Sequence, residues 1–217
     1  MPGSQASSES EHRGFGIGAL FFLSVLLAGV VECGFLPMRW LVTIVADDCF
    51  YYFKIAQNLA ATGIPTFDGI NITNGFHPGW MVVLVGLVNV LPSDLSKETL
   101  ARVFLFAQWP FLAAGAALLL RSAWPRPSLA GSAFSLLCIL GLPFVRPISM
   151  GLETALAFCF MALFWTGSAR YISQPAHTPW LSGLAAALWE FSRLDAFLII
   201  SAASILATAY VKAVSKD

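Results

Sequence analysis

Long apolar runs separated by short polar links dominate the chain. They cover roughly 15–37, 78–92, 99–120, 129–146, 151–168 and 180–211. A helix of about 20 apolar residues spans a bilayer, so most of these runs read as membrane segments. The last run is too long for one simple span. Ser192-Arg193-Leu194-Asp195 interrupts it, which predicts short or broken helices. The pattern predicts an all-α, polytopic transmembrane bundle of about six or seven segments. The alternating short strands of a closed barrel are missing from it. Residues 1–14 are Ser/Glu-rich and read as a disordered tail. Residues 15–217 then form the transmembrane domain, with a first loop over 38–77.

Within that loop the period changes. Over 47–62, DDCFYYFKIAQNLAAT, residues Asp47, Tyr51, Lys54 and Asn58 share one helical stripe. Asp48, Tyr52, Ile55 and Leu59 share the next. The first stripe is polar and the second mostly apolar, which predicts an interfacial helix with one face in water. Gly63 is a stop signal. IPTFDGINITNGFHP follows, with Asp-Gly and Asn-Gly turn pairs bounded by Pro65 and Pro78.

Composition sharpens the class. The chain has 217 residues, 58% of them hydrophobic and 11% charged. Mean hydropathy is +0.76. Soluble domains carry about 25% charged residues, so the chain reads as an integral membrane protein. Its 18 Phe and 7 Trp suit lipid-facing and interfacial positions. The formal net charge is zero, which implies no bulk attraction to nucleic acid. The basic residues give no clear vote on orientation. None of the four cysteines is in CxxC spacing. Cys138 and Cys159 sit in apolar runs as small hydrophobes. A Cys33–Cys49 disulfide is open to the chain, although no spacing points to it. Ala/Gly-rich stretches around Gly115 and Gly183 permit close helix approach, so bulk at either glycine is expected to destabilise the bundle.

Candidate chemistry concentrates in the polar minority. Asp47 and Asp48 read either as a first-turn pair favoured by the helix dipole or as a carboxylate site. In the second case they suit a general base, or a divalent-metal ligand at Asp47. Asp68, Asn71, Asn74 and His77 supply hydrogen-bonding side chains to the loop. Glu153 reads either as a first-turn acid on the fifth span or as a cavity-lining one. Arg193 and Asp195 read either as an internal salt bridge or as part of a polar cavity.

Three stretches together resemble a known pattern. They are Asp47-Asp48-Cys-Phe-Tyr51-Tyr52-Phe-Lys54-Ile-Ala-Gln-Asn58 with Thr66-Phe-Asp68-Gly-Ile-Asn71-Ile-Thr-Asn74-Gly-Phe-His77-Pro-Gly-Trp80, then Gly151-Leu-Glu153-Thr-Ala-Leu156, then Ser192-Arg193-Leu-Asp195-Ala196. In this order they resemble GT-C-type polytopic membrane glycosyltransferases, in particular the bacterial mannosyltransferase and aminoarabinose-transferase groups. The resemblance implies a multi-pass protein of the bacterial cytoplasmic membrane. It also implies a polyprenyl-phosphate sugar as donor and a lipid, glycan or protein as acceptor. An acid just after the first membrane helix serves there as catalytic base or positions a metal, which singles out Asp47 first and Asp48 second. Tyr51, Lys54, Asn58, Asp68, Asn71, Asn74, His77, Glu153, Arg193 and Asp195 become candidate substrate-binding residues. A divalent metal is a candidate cofactor.

Members of that group are longer and carry more membrane helices. The chain therefore reads as the N-terminal part of such an architecture, as a truncated or split product or a compact relative. Two other classes fit the same pattern. Broken helices with ion pairs also suit a transporter or lipid-handling protein. A short chain also suits a non-catalytic partner of a second membrane chain.

Overall fold

The first apolar run forms α1, Gly3–Phe35. In this computed structural model, which describes residues 3–123, 151–173 and 180–214, helix begins inside the segment expected to be a disordered tail. Extending a nucleated helix costs far less than starting one, so the apolar run can carry helix into polar residues. Pro37 follows the end of α1 and disfavours helix at the residue before it. The Arg102 guanidinium donates to the carbonyls of Cys33 at 2.7 Å and Leu36 at 3.0 Å, satisfying acceptors that a helix end leaves open.

A short α2, Met38–Ile44, leads into α3, Asp47–Thr62. Asp47 and Asp48 occupy the first turn of α3 and Gly63 closes it in the left-handed conformation, as the residue pattern predicts. The loop over 63–77 doubles back through an isolated antiparallel bridge between Thr66 and Ile72. Pro78 opens α4, Pro78–Val90, where its missing N–H is harmless. Ser96 caps α5, Lys97–Phe106, by accepting the Thr99 N–H at 3.1 Å. The remaining helices are α6, Gln108–Ala123, α7, Thr154–Ser173, α8, Trp180–Ser192, and α9, Ala196–Val214.

The described residues are helical and contain no strand. Three helical stretches among them are long and apolar enough to cross a membrane: Gly18–Phe35, Lys97–Ser122 and Thr154–Ser173. The second is α5 and α6 end to end. The run expected as the second span, 78–92, yields a helix of 13 residues. That is about 20 Å of helix against the ~30 Å of a hydrocarbon core. Proline at both borders sets this limit. The last run is broken between Ser192 and Ala196, as its charges predict. The expected fourth span, 129–146, lies outside the described residues.

Contacts fix the directions. Gln108 at the head of α6 meets Gly151 just before α7. Gly115 lies on Phe158 and Cys159, and Arg121 shares a cleft with Arg170. Sequence numbers rise together, so α6 and α7 run parallel. Arg102 meets Cys33 and Trp109 lies against Gly29, so α1 runs antiparallel to them. Ser182 of α8 lies on Gly167 while Ser192 lies on Gly79, so α8 returns along α7. Trp109, Leu112, Ala113 and Ala116 of α6 are buried in this packing.

Only one of the two glycines expected to mediate close packing does so. A Cβ at Gly115 would fall 2.7 Å from Phe158 Cδ1 and 3.0 Å from Cys159 Cα, whereas one at Gly183 meets nothing within 4 Å. Gly115→Val is therefore expected to destabilise by about 1–3 kcal/mol through overpacking. Gly183→Val should stay within about 0.5 kcal/mol of the parent. Unfolding of the two variants in one detergent checks both; equal losses would refute the α6–α7 contact.

Candidate active site

Buried Glu153 is the centre of a polar cluster drawn from four elements. It lies just before α7, with its residue only 5% exposed. Its Oε1 is 3.5 Å from His77 Nε2 and 4.0 Å from Arg193 Nη1. Burying a lone carboxylate is costly unless basic partners approach it, and both do. His77 stands at the head of α4, where its backbone N–H donates to the Tyr52 hydroxyl of α3 at 3.0 Å. Arg193, in the break between α8 and α9, donates from Nε to Asp195 Oδ1 at 2.9 Å.

The backbone around Glu153 is built for this position. Gly151 has φ 82°, a left-handed conformation that disfavours any Cβ. Its N–H donates to Gln108 Oε1 at 3.1 Å, and its carbonyl accepts from Trp80 Nε1 at 3.1 Å. Thus α6 and α4 hold both polar groups of the glycine two residues before the acid. Gly79 packs on Ser192, bringing the head of α4 against the end of α8 and so His77 towards Arg193.

Electrostatics follow from this arrangement. Burial pushes the Tyr52 phenol up to about 12, and the carboxylates of Glu153 and Asp48 act in the same direction. The phenol therefore stays neutral. The Arg193 hydrogen bond holds the Asp195 carboxyl below its usual range, and the same contact raises Arg193. His77 Nδ1 is buried without a hydrogen-bond partner, an exception of the kind that calls for a functional explanation.

The other expected site residues divide into two groups. Asp47 and Asp48 are both exposed at the head of α3. Asp48 shares the stripe of Tyr52 and acts on its phenol; Asp47 lies on the neighbouring stripe. The residues of that stripe were expected to face water, but two of them hold the loop. The Tyr51 hydroxyl is 2.9 Å from Thr73 Oγ1 and its ring stacks on Phe67. Asn58 Nδ2 donates to the carbonyls of Thr66 at 2.8 Å and Phe67 at 3.2 Å. Asp68 accepts from the backbone N–H groups of Ile70 and Asn71 and from the Asn71 amide. These hydrogen bonds hold the Asp68 carboxyl at about 2. Asp68 and Asn71 thus form the turn itself, a familiar use of these residue types. Asn74 accepts the Phe76 N–H through its backbone carbonyl, and Lys54 is exposed.

Tyr52, Trp80 and Gln108 belong to the site but escape the residue pattern. Tyr52 falls on the apolar stripe and is buried there, with only its hydroxyl at the cluster. Gln108 is 1% exposed. A buried amide inside the run 99–120 was the available signal, since polar groups in such runs are rarely idle. Cys33 and Cys49 are buried free thiols, so the disulfide open to them is not formed. Among the described residues no three His, Cys, Asp or Glu side chains gather to hold a metal ion. Comparison of the chain with protein-family models, with curated proteins and with solved structures finds no match.

Proposed function

We propose that the chain is a membrane glycosyltransferase of the GT-C type, or the N-terminal portion of one. It would move a sugar from a polyprenyl-phosphate donor to a lipid, glycan or protein hydroxyl. One observation carries the proposal. The three stretches that resemble this group, separated by about 75 and 40 residues, meet in the cluster of Tyr52, His77, Glu153 and Arg193. A bundle in a bacterial cytoplasmic membrane accounts for the three long apolar helices. It also accounts for the outer faces of α1 and α9, where Leu20, Leu23, Leu27, Leu198, Ile205 and Leu206 are more than half exposed.

The chemistry follows from the parts. Asp48 takes the proton of the acceptor hydroxyl as its oxygen bonds to the anomeric carbon. The bond from that carbon to the phosphate oxygen breaks, and the phosphate leaves with the electron pair. Arg193 and His77 stabilise the departing anion. Glu153 touches neither substrate; it positions His77 and Arg193 through the contacts described above. The unpartnered His77 Nδ1 gives the imidazole a spare hydrogen-bonding group.

The test is donor consumption. The full chain, reconstituted in liposomes, is incubated with polyprenyl phosphates carrying mannose or aminoarabinose and with a lipid-extract acceptor. Release of free polyprenyl phosphate is expected, and Arg193→Gln should reduce it by at least roughly a hundredfold, as removal of one oxyanion donor does. Tight donor binding without release would move the reading to lipid handling or to a partner of a second chain. Release unchanged in Arg193→Gln would place the reaction elsewhere.

A further inference from the structure

The parallel course of α6 and α7 brings two arginines together at the end away from Glu153. Arg121 lies in the last turn of α6 and Arg170 in the last turn of α7. They line one cleft of about 400 Å³, shared with Ser122, Thr166, Ala169 and Ser173. Among the described residues no acid lines it. Two guanidinium groups in one cleft repel each other unless an anion lies between them. The two hydroxyl groups that line the cleft on α7 with described bonds turn back on their own helix. Thr166 Oγ1 donates to the carbonyls of Ala162 and Leu163, and Ser173 Oγ to those of Ala169 and Arg170. These hydroxyl donors are committed to α7 itself, so the guanidinium groups are the strongest donors lining the cleft.

The level of the cleft sets the ligand. From Thr154 to Arg170 is about 24 Å of helix at 1.5 Å per residue. Both helices belong to stretches long enough to cross a membrane. Arg121 and Arg170 close these two stretches at the end away from Glu153, so in a membrane-crossing bundle they lie towards one bilayer surface. Guanidinium forks match phosphate oxygens in geometry and charge. We infer that the Arg121–Arg170 cleft binds the phosphate of an anionic phospholipid headgroup. The inference rests on the membrane reading and is independent of sugar transfer.

Native mass spectrometry of the full chain in neutral detergent tests this, with phosphatidylglycerol and phosphatidylcholine offered in equal amounts. Retention of phosphatidylglycerol is expected to exceed that of phosphatidylcholine by roughly thirtyfold, on the scale set by two basic groups at a lipid surface. Arg121→Gln with Arg170→Gln should abolish the preference. Ala169→Phe fills the cleft while keeping both charges, and should abolish it too, which guards against a double variant that fails to fold. No preference in the parent protein would overturn the site. So would a preference that survives in either folded variant. Displacement of the lipid by equimolar inorganic phosphate would overturn the lipid and leave free phosphate as the ligand.

Discussion

Asp48→Asn is expected to lower sugar transfer by roughly a hundred- to ten-thousandfold, the usual worth of a general base, while Asp47→Asn lowers it less than about tenfold. The two acids are neighbours at the head of α3, both exposed, and resemblance alone favours the first. The helical face favours the second. One residue along a helix is a turn of about 100°, so only one of the pair can share a face with Tyr52. Asp48 does, and its charge acts on the Tyr52 phenol, whose oxygen accepts the His77 N–H. Asn is nearly isosteric with Asp and leaves the first turn intact. Both variants should therefore reach the membrane in parental amounts. Initial rates of donor consumption at saturating donor compare them directly. A larger loss at Asp47 would mean that the substrate approaches along the polar stripe of α3, and the base would be reassigned.

The largest expected loss of stability is at Gly151. Gly151→Ala should destabilise the folded chain by about 2–6 kcal/mol. Two penalties combine. A non-glycine residue held at φ 82° costs on the order of 1–3 kcal/mol. The new Cβ would also fall 2.7 Å from Cys49 Cβ and 2.9 Å from Leu105 Cδ2, an overpacking of about 1–3 kcal/mol. Neither neighbour moves freely, because Cys49 and Leu105 are themselves buried. Thermal unfolding in detergent measures the effect, with Leu152→Ala as the adjacent control. A Gly151→Ala protein that melts like its parent would refute the junction of α3, α5 and α7, and with it the placement of Glu153.

Much of the fold is legible in the residues because lipid-compatible helices are long, apolar and closed by recognisable signals. The runs that become α1, α6 and α7 need no partner to be identified. Gly63, Pro78 and the Arg193–Asp195 break likewise mark the end of α3, the start of α4 and the division of α8 from α9. The run at 78–92 misleads for a definite reason: hydropathy reports polarity, whereas crossing a membrane also requires length, and the prolines cut this helix short. The site is less legible. Periodicity divides α3 into stripes but cannot say which stripe meets Glu153. The polar loop residues Asp68 and Asn71 look like ligands, yet turns demand the same residue types. His77, Glu153 and Arg193 are far apart in sequence, and only the packing of α4, α7 and α8 brings them together.

Cys49 gives this corner a built-in clock. Its thiol lies against Gly151, fully buried, and burial pushes it up to about 12, so the closed state leaves almost no thiolate to react. Alkylation can proceed only while α3 lifts from the head of α7. The rate of modification is then the intrinsic rate of an open thiol multiplied by the fraction of time the corner stands open. Breathing of this corner can thus be timed separately from melting of the whole bundle, by a reporter one residue from Asp48.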